Sequence, residues 1–168
     1  MKKLISILLA IAMLAALCAC GSGGNGGEAE PEAVKGETQE WGNLSVFVPE
    51  GNSLVGGSLI DADDPDSAWI LLDSDNTHYY LIGVVAGQED AEDGIIATKE
   101  INEVNGGAGD VTVEAGGVSW TGYAYISSGI DCFMLCGQVA GGWVTVTSAY
   151  HTYNSAETIA ILESIKVL

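Results

Sequence analysis

Beyond residue 40, apolar residues either alternate with polar ones or run together over short stretches, which is the pattern of β-strands. The stretches with this pattern are 44–48, 68–72, 79–86, 111–113, 118–126, 132–139 and 143–150. Clusters of Gly, Asp and Ser separate them, as expected for turns. Gly141-Gly142 lies between the last two stretches, where glycine can take the positive φ that a tight hairpin requires.

Two stretches, 90–104 and 155–166, show helical spacing instead. In the first stretch, the apolar residues Ile95, Ile96, Ile101 and Val104 recur at helical spacing, and Asn105-Gly106 is a stop signal. In the second stretch, the apolar residues are Ile159, Leu162 and Ile165. Asn154 or Ser155 is the expected N-cap, and Glu157 lies in the first turn. Because these helices do not alternate regularly with the strands, residues 41–168 are predicted to form a single α+β domain. Its sheet is expected to be largely antiparallel, with about two helices packed on it.

The beginning of the chain differs in composition, because a short basic segment is followed by a continuous apolar stretch. Met1-Lys2-Lys3 is followed by residues 4–17, which are apolar except for Ser6. This basic segment and apolar core are typical of an export signal. A stretch of 14 residues is shorter than the roughly 20 residues that a membrane-spanning helix needs, so a signal sequence is favoured over a permanent span.

The end of this apolar stretch reads Leu17-Cys18-Ala19-Cys20-Gly21. It resembles the lipobox of bacterial lipoproteins, which has Leu three residues before the modified cysteine and a small residue directly before it. The resemblance implies cleavage after residue 19 and fatty acylation, including palmitate, of Cys20. Cys18 is a weaker candidate because the bulky Leu17 precedes it, and a plain secreted protein is the alternative. Two or more acyl chains give stable attachment to a membrane.

Residues 20–40 are expected to be a tether between the acylated cysteine and the domain. This segment carries six glycines and five glutamates, and Val34 is its one branched apolar residue. Such a composition cannot bury a core and is typical of a flexible, self-repelling linker. The predicted organisation is therefore a signal peptide over 1–19, a tether over 20–40 and a domain over 41–168.

Charge limits the partners of this domain. The chain has 23 acidic residues, five lysines and no arginine, and the predicted cleavage removes two of the lysines. Nucleic acids and anionic headgroups are bound by Lys and Arg, so no nucleic-acid partner is expected. The expected partners are the membrane, through the lipid anchor, and an envelope protein or polymer on the extracytoplasmic side.

Cys132 and Cys136 remain once Cys18 and Cys20 are accounted for. In a strand they lie on one face about 13 Å apart, too far for a disulfide. Two buried thiols are the expected state.

Acidic residues supply the clearest metal-binding candidate. Asp61, Asp63, Asp64 and Asp66 are hard oxygen ligands close together in sequence, and Asp73-Ser74-Asp75-Asn76 follows the next strand. Calcium takes six to eight oxygens, so a Ca²⁺ site is one interpretation. The glycine and glutamate positions of a helix–loop–helix calcium loop are missing, and Asp-rich loops are commonly turns.

Aromatic residues offer a second candidate surface. Tyr123 and Tyr125 share one face of a predicted strand and could stack against a ligand, although large aromatics are more often in the core. The two histidines, His78 and His151, lie in no recognisable catalytic motif, and no nucleophile elbow or phosphate loop is present in the sequence.

The domain also resembles the PsbP-like family, an α/β/α sandwich. The residues that carry the resemblance are the strand running into Pro49-Glu50-Gly51 and the last helix, which ends in Ser164-Ile165-Lys166. The Trp that usually follows the Pro-Glu-Gly turn is replaced by Asn52-Ser53-Leu54. Because members of this family include non-enzymatic partners of larger assemblies, the resemblance implies binding more than catalysis.

Taken together, the sequence predicts a non-catalytic binding or accessory lipoprotein on the outer face of a cell membrane. The alternatives are a small extracytoplasmic hydrolase with paired carboxylates, which assemble in space and not in sequence, and a calcium-binding surface domain.

Replacing Cys20 with Ser tests the anchor. The Cys20→Ser protein is expected to lose its acyl chains and its retention in the membrane fraction, while its thermal unfolding stays unchanged because the substitution lies outside the domain. Intact mass and membrane fractionation measure this. Acylation and membrane retention that persist in the Ser variant would contradict the assignment.

Overall fold

The alternating stretches fold as strands and the helically spaced stretches as helices throughout the residues that the computed structural model describes, 33–56, 67–102 and 109–168. In chain order the elements are β1 (Gly36–Trp41), β2 (Leu44–Pro49), β3 (Ser53–Gly56), β4 (Ala68–Leu72), β5 (Tyr79–Val85), α1 (Gln88–Asn102), β6 (Gly109–Ala115), β7 (Val118–Ser127), β8 (Ile130–Val139), β9 (Gly142–Ala149), α2 (Ala156–Ser164) and β10 (Lys166–Val167). The prediction of a single α+β domain is confirmed.

The strands form two sheets. A seven-stranded sheet has the order β3-β4-β5-β9-β8-β7-β6, and a three-stranded sheet has the order β1-β2-β10. Every strand pair recorded in these sheets is antiparallel. Most neighbours are joined by hairpins, but β5 and β9 pair across the intervening α1, β6, β7 and β8.

The core lies against one face of the seven-stranded sheet. Its fully buried large side chains include Trp69, Tyr80, Trp120, Phe133 and Leu135 from the large sheet, Leu44 and Val46 from β2, and Ile161 and Leu162 from α2. Helix α2 packs on β2 and β6. Helix α1 packs on the opposite face of the sheet, where Thr98 Oγ1 lies 3.1 Å from Met134 Sδ on β8.

Two local predictions about turns and caps are confirmed. Gly141 has a φ of 93° in the hairpin between β8 and β9. Ser155 caps α2, because its side-chain oxygen accepts a hydrogen bond from the backbone N–H of Thr158 at 3.1 Å.

The domain begins earlier than the predicted start at Trp41, because strand β1 (Gly36–Trp41) belongs to the three-stranded sheet. Residues 36–41 pair along their whole length with β2, whereas the composition of the sequence places residues 36–40 in the tether. Five of these six residues are exposed, so the strand is held by backbone hydrogen bonds and leaves no apolar pattern to recognise. Glycine is required at Gly36, where a methyl group would overlap the carbonyl oxygen of Val48 and the ring of Phe47.

Cys132 and Cys136 lie on the same side of β8, both are buried, and neither is in a disulfide. The expectation of two buried thiols is confirmed. Burial raises the pKa of both thiols, which keeps them protonated and poorly nucleophilic.

Two groups of predicted site residues lie outside the described residues. They are Cys20, and the aspartates Asp61, Asp63, Asp64 and Asp66. Neither described helix has the length and apolar character needed to cross a bilayer.

Gly122 on β7 tests the packing of the sheet. A methyl group there would overlap the carbonyl oxygen of Met134 on β8, whereas a methyl at Gly109 on β6 meets nothing within 4 Å. Overpacking against backbone is expected to make Gly122→Ala about 2–3 kcal/mol less stable, and Gly109→Ala should stay within about 0.5 kcal/mol of the parent protein. Urea unfolding of both variants measures this, and equal midpoints would contradict the packing described.

Candidate functional site

The two histidines of the chain meet at one end of the large sheet. Because Tyr79 pairs with Ala149, His78 just before β5 lies beside Tyr150 just after β9. The rings of His78 and Tyr150 have centroids 4.5 Å apart, and those of His78 and His151 lie 5.9 Å apart, edge to face. Sequence reasoning missed this cluster because 72 positions separate the two histidines and only the β5–β9 pairing brings them together.

The β4–β5 hairpin loop places two carboxylates next to His78. The backbone N–H of Asp73 donates to the carbonyl of His78 at 3.1 Å and closes the loop. Inside the loop, the N–H of Thr77 donates to Oδ1 of Asp73 at 3.0 Å and to Oδ1 of Asp75 at 3.1 Å. Both carboxylates are therefore drawn toward the same backbone group.

His78 completes this cluster. Its Nδ1 lies 2.9 Å from Oδ2 of Asp73, and one ligand atom from each of Asp73, Asp75 and His78 lies within 4.8 Å of the others. The His78 side chain is 41% exposed and that of Asp73 is 19% exposed, so solvent reaches the group. Hydrogen bonding from the Thr77 side chain is the main cause of a lowered pKa at Asp75, which keeps that carboxylate charged. The arrangement offers oxygen and nitrogen donors to a cation.

His151 belongs to a second, more buried network. Its ring stacks on Tyr80 with centroids 4.2 Å apart, and its Nδ1 lies 2.8 Å from Oγ of Ser148. Its Nε2 lies 3.7 Å from Oε1 of Glu157. Burial lowers the pKa of His151, and the nearby charge of Glu157 opposes this shift in part. The neutral imidazole is favoured.

Ser148, His151 and Glu157 have the composition of a hydrolytic triad but a different arrangement. Ser148 is 1% exposed, and its hydroxyl donates to the carbonyl of Tyr79 at 2.7 Å. With its proton on that carbonyl, the Ser148 oxygen is an acceptor toward Nδ1 of His151 at 2.8 Å, whereas a nucleophilic serine must donate to its base. A substrate carbonyl cannot reach this buried oxygen, so the three residues form a structural network.

Tyr123 and Tyr125 stack on one face of β7, as predicted, with centroids 6.1 Å apart. Tyr123 is only 3% exposed, and Nζ of Lys99 on α1 lies 5.6 Å from its ring centroid. It therefore offers no surface to a partner. Tyr125 is half-buried and lines a cavity of about 160 Å³ with Cys132 and His151.

A groove runs between α1 and the strands β6 and β7. It encloses about 360 Å³, and its lining residues are Glu92, Ile95, Ile96, Asp110, Val111, Thr112, Thr121 and Gly122. Its floor is apolar and its rim carries acidic groups, among them Asp110, which pairs with Lys99 at 2.9 Å. Strand β6 is the last strand of the sheet order, so the groove follows a sheet edge.

Comparison with the known protein families gives no match, and neither does comparison with curated protein sequences. The resemblances to the lipobox and to the PsbP-like family therefore stay predictions from the residues quoted above.

Proposed function

We propose that the protein is a lipid-anchored, extracytoplasmic and non-catalytic module that binds another envelope protein through the groove between α1 and β6. The groove is the observation that carries the proposal, because it combines an apolar floor, an acidic rim and a sheet edge in one place. Exposed apolar surface rimmed by polar groups is typical of protein-binding sites.

The edge strand defines the shape of the partner. Among the described strands, β6 pairs with β7 alone, which leaves the outer edge of β6 as a template for another strand. An extended segment added there gains main-chain hydrogen bonds, and every second side chain points toward the groove. Ile96, which is 52% exposed, would contact those side chains.

Charge defines the chemistry of the partner. Glu92 and Asp110 line the groove, Glu89 and Asp90 stand in the first turn of α1, and Glu114 lies exposed on β6. A partner segment that alternates apolar residues with Lys or Arg complements both the floor and the rim. Opposite charges across an interface accelerate association and disfavour wrong partners, including a second acidic copy of this chain.

The non-catalytic part of the proposal rests on one contact network and on one resemblance. The Ser148, His151 and Glu157 network hides its hydroxyl from solvent. The predicted PsbP-like resemblance also points to a family with non-enzymatic partners.

The anchor sets where the module works. Acylation of Cys20 would hold the chain at the membrane, so the partner is expected to be another protein at the same membrane surface.

Site-specific photo-crosslinking tests the groove. A photo-reactive amino acid at position 96 should give a discrete adduct with another envelope polypeptide in living cells. The same residue at position 101 is the matched control, because Ile101 lies on the same helix, is 74% exposed and does not line the groove. Adding Glu92→Lys to the position-96 protein should lower the adduct yield at least tenfold, because it reverses a rim charge.

Mass spectrometry of the adduct then identifies the captured segment. A segment that alternates apolar and basic residues supports the proposal. Equal adducts from positions 96 and 101, an adduct with a second copy of this chain, or no adduct from position 96 would contradict it.

A further inference from the structure

The hairpin loop between β4 and β5 holds a binding site that is separate from the groove. We propose that Asp73, Asp75 and His78 bind one divalent transition-metal ion, and that zinc matches their donor set. The three side chains come from six consecutive positions of one loop, and their ligand atoms already lie within 4.8 Å of one another.

The donor set selects the class of ion. Calcium takes six to eight oxygen ligands, and an imidazole nitrogen does not serve it. Zinc binds imidazole nitrogen and carboxylate oxygen at about 2.0–2.2 Å, and three protein ligands with one water complete its tetrahedron. In that geometry the ligand atoms lie about 3.4 Å apart. His78 Nδ1 and Asp73 Oδ2, which are 2.9 Å apart, would therefore separate by about 0.5 Å to admit the ion.

The loop reduces the reorganisation that binding requires. Thr77 N–H holds Oδ1 of both carboxylates, and Asp73 is tied to His78 through the backbone as well as through the side chains. An ion would replace the contact between His78 Nδ1 and Asp73 Oδ2: both atoms would bond the metal, and the imidazole would carry its proton on Nε2. Preorganised ligands lose less conformational entropy on binding.

His151 gives an observation from a separate part of the chain. The ring of His151 lies edge-on to the ring of His78, and the ring of Tyr150 also contacts the ring of His78. These aromatic neighbours hold the imidazole of His78 beside the carboxylates. The Nδ1 of His151 is already engaged by Ser148, so His151 supports His78 and is not one of the three ligands.

The charge of the chain favours cations at this site. The protein carries 23 acidic residues against five lysines, and such an excess raises the local concentration of positive ions.

Calorimetric titration of the purified lipidated protein in detergent tests the site, with ZnCl₂ and CaCl₂ as separate probes. One equivalent of zinc should bind, with calcium at least tenfold weaker. His78→Asn and Asp73→Asn should each weaken zinc binding at least tenfold. Asp131→Asn and the double variant Cys132→Ser with Cys136→Ser should bind zinc within about threefold of the parent protein, because neither removes a proposed ligand or a ring neighbour of His78.

Circular dichroism and thermal unfolding show that each variant is folded. Because His78 and Asp73 lie in an exposed loop, their amide replacements are expected to keep the fold. Zinc binding that survives His78→Asn would place the ion elsewhere and overturn the proposal. So would equal affinity for calcium, loss of binding in the cysteine variant alone, or no zinc binding by the parent protein.

Discussion

The pairing of β5 with β9 is the interaction on which most of the structure depends. These strands are far apart in sequence, yet they lie side by side from Tyr79 opposite Ala149 to Val85 opposite Trp143. Closing so long a loop loses conformational entropy before any contact forms. The pairing joins β3, β4 and β5 to the meander of β6 to β9, and without it the large sheet would divide into two small ones.

The same pairing connects the core to the candidate metal site. On the inner face, Tyr80 and Ile82 of β5 adjoin Val144 and Val146 of β9, and all four are fully buried. Each such side chain contributes on the order of 1.5–3 kcal/mol through burial. The hydroxyl of Tyr80 bonds Thr158 at the start of α2, and its ring stacks on His151. Just outside the terminal pair, Tyr79 and Ala149, the register brings the ring of His78 against the ring of Tyr150. Asp73 and Asp75 lie at this end of the sheet. The proposed partner groove lies at the β6 edge, away from this pairing.

Elements with an apolar period could be predicted, and those without one could not. Seven strands, both helices and the Ser155 cap follow from spacing that burial imposes on the sequence. The other three described strands leave too little pattern to recognise, because β1 is nearly all exposed, β3 has four residues and β10 has two. The histidine cluster was missed for a different reason. Its residues are joined by strand register, which depends on which strands pair, and the sequence alone does not specify that pairing.

Engineered disulfides across β5 and β9 test this register directly. In a background with Cys132→Ser and Cys136→Ser, Leu81→Cys with Thr147→Cys joins residues that face each other in the sheet. Directly opposed residues have Cα atoms about 4.5–5.5 Å apart, which a disulfide spans, whereas diagonal neighbours lie beyond its usual reach. The account predicts oxidation of the 81/147 pair and none of the diagonal control, Leu81→Cys with Thr145→Cys, measured by intact mass without reductant. A bridge in the 81/145 protein and none in the 81/147 protein would contradict it.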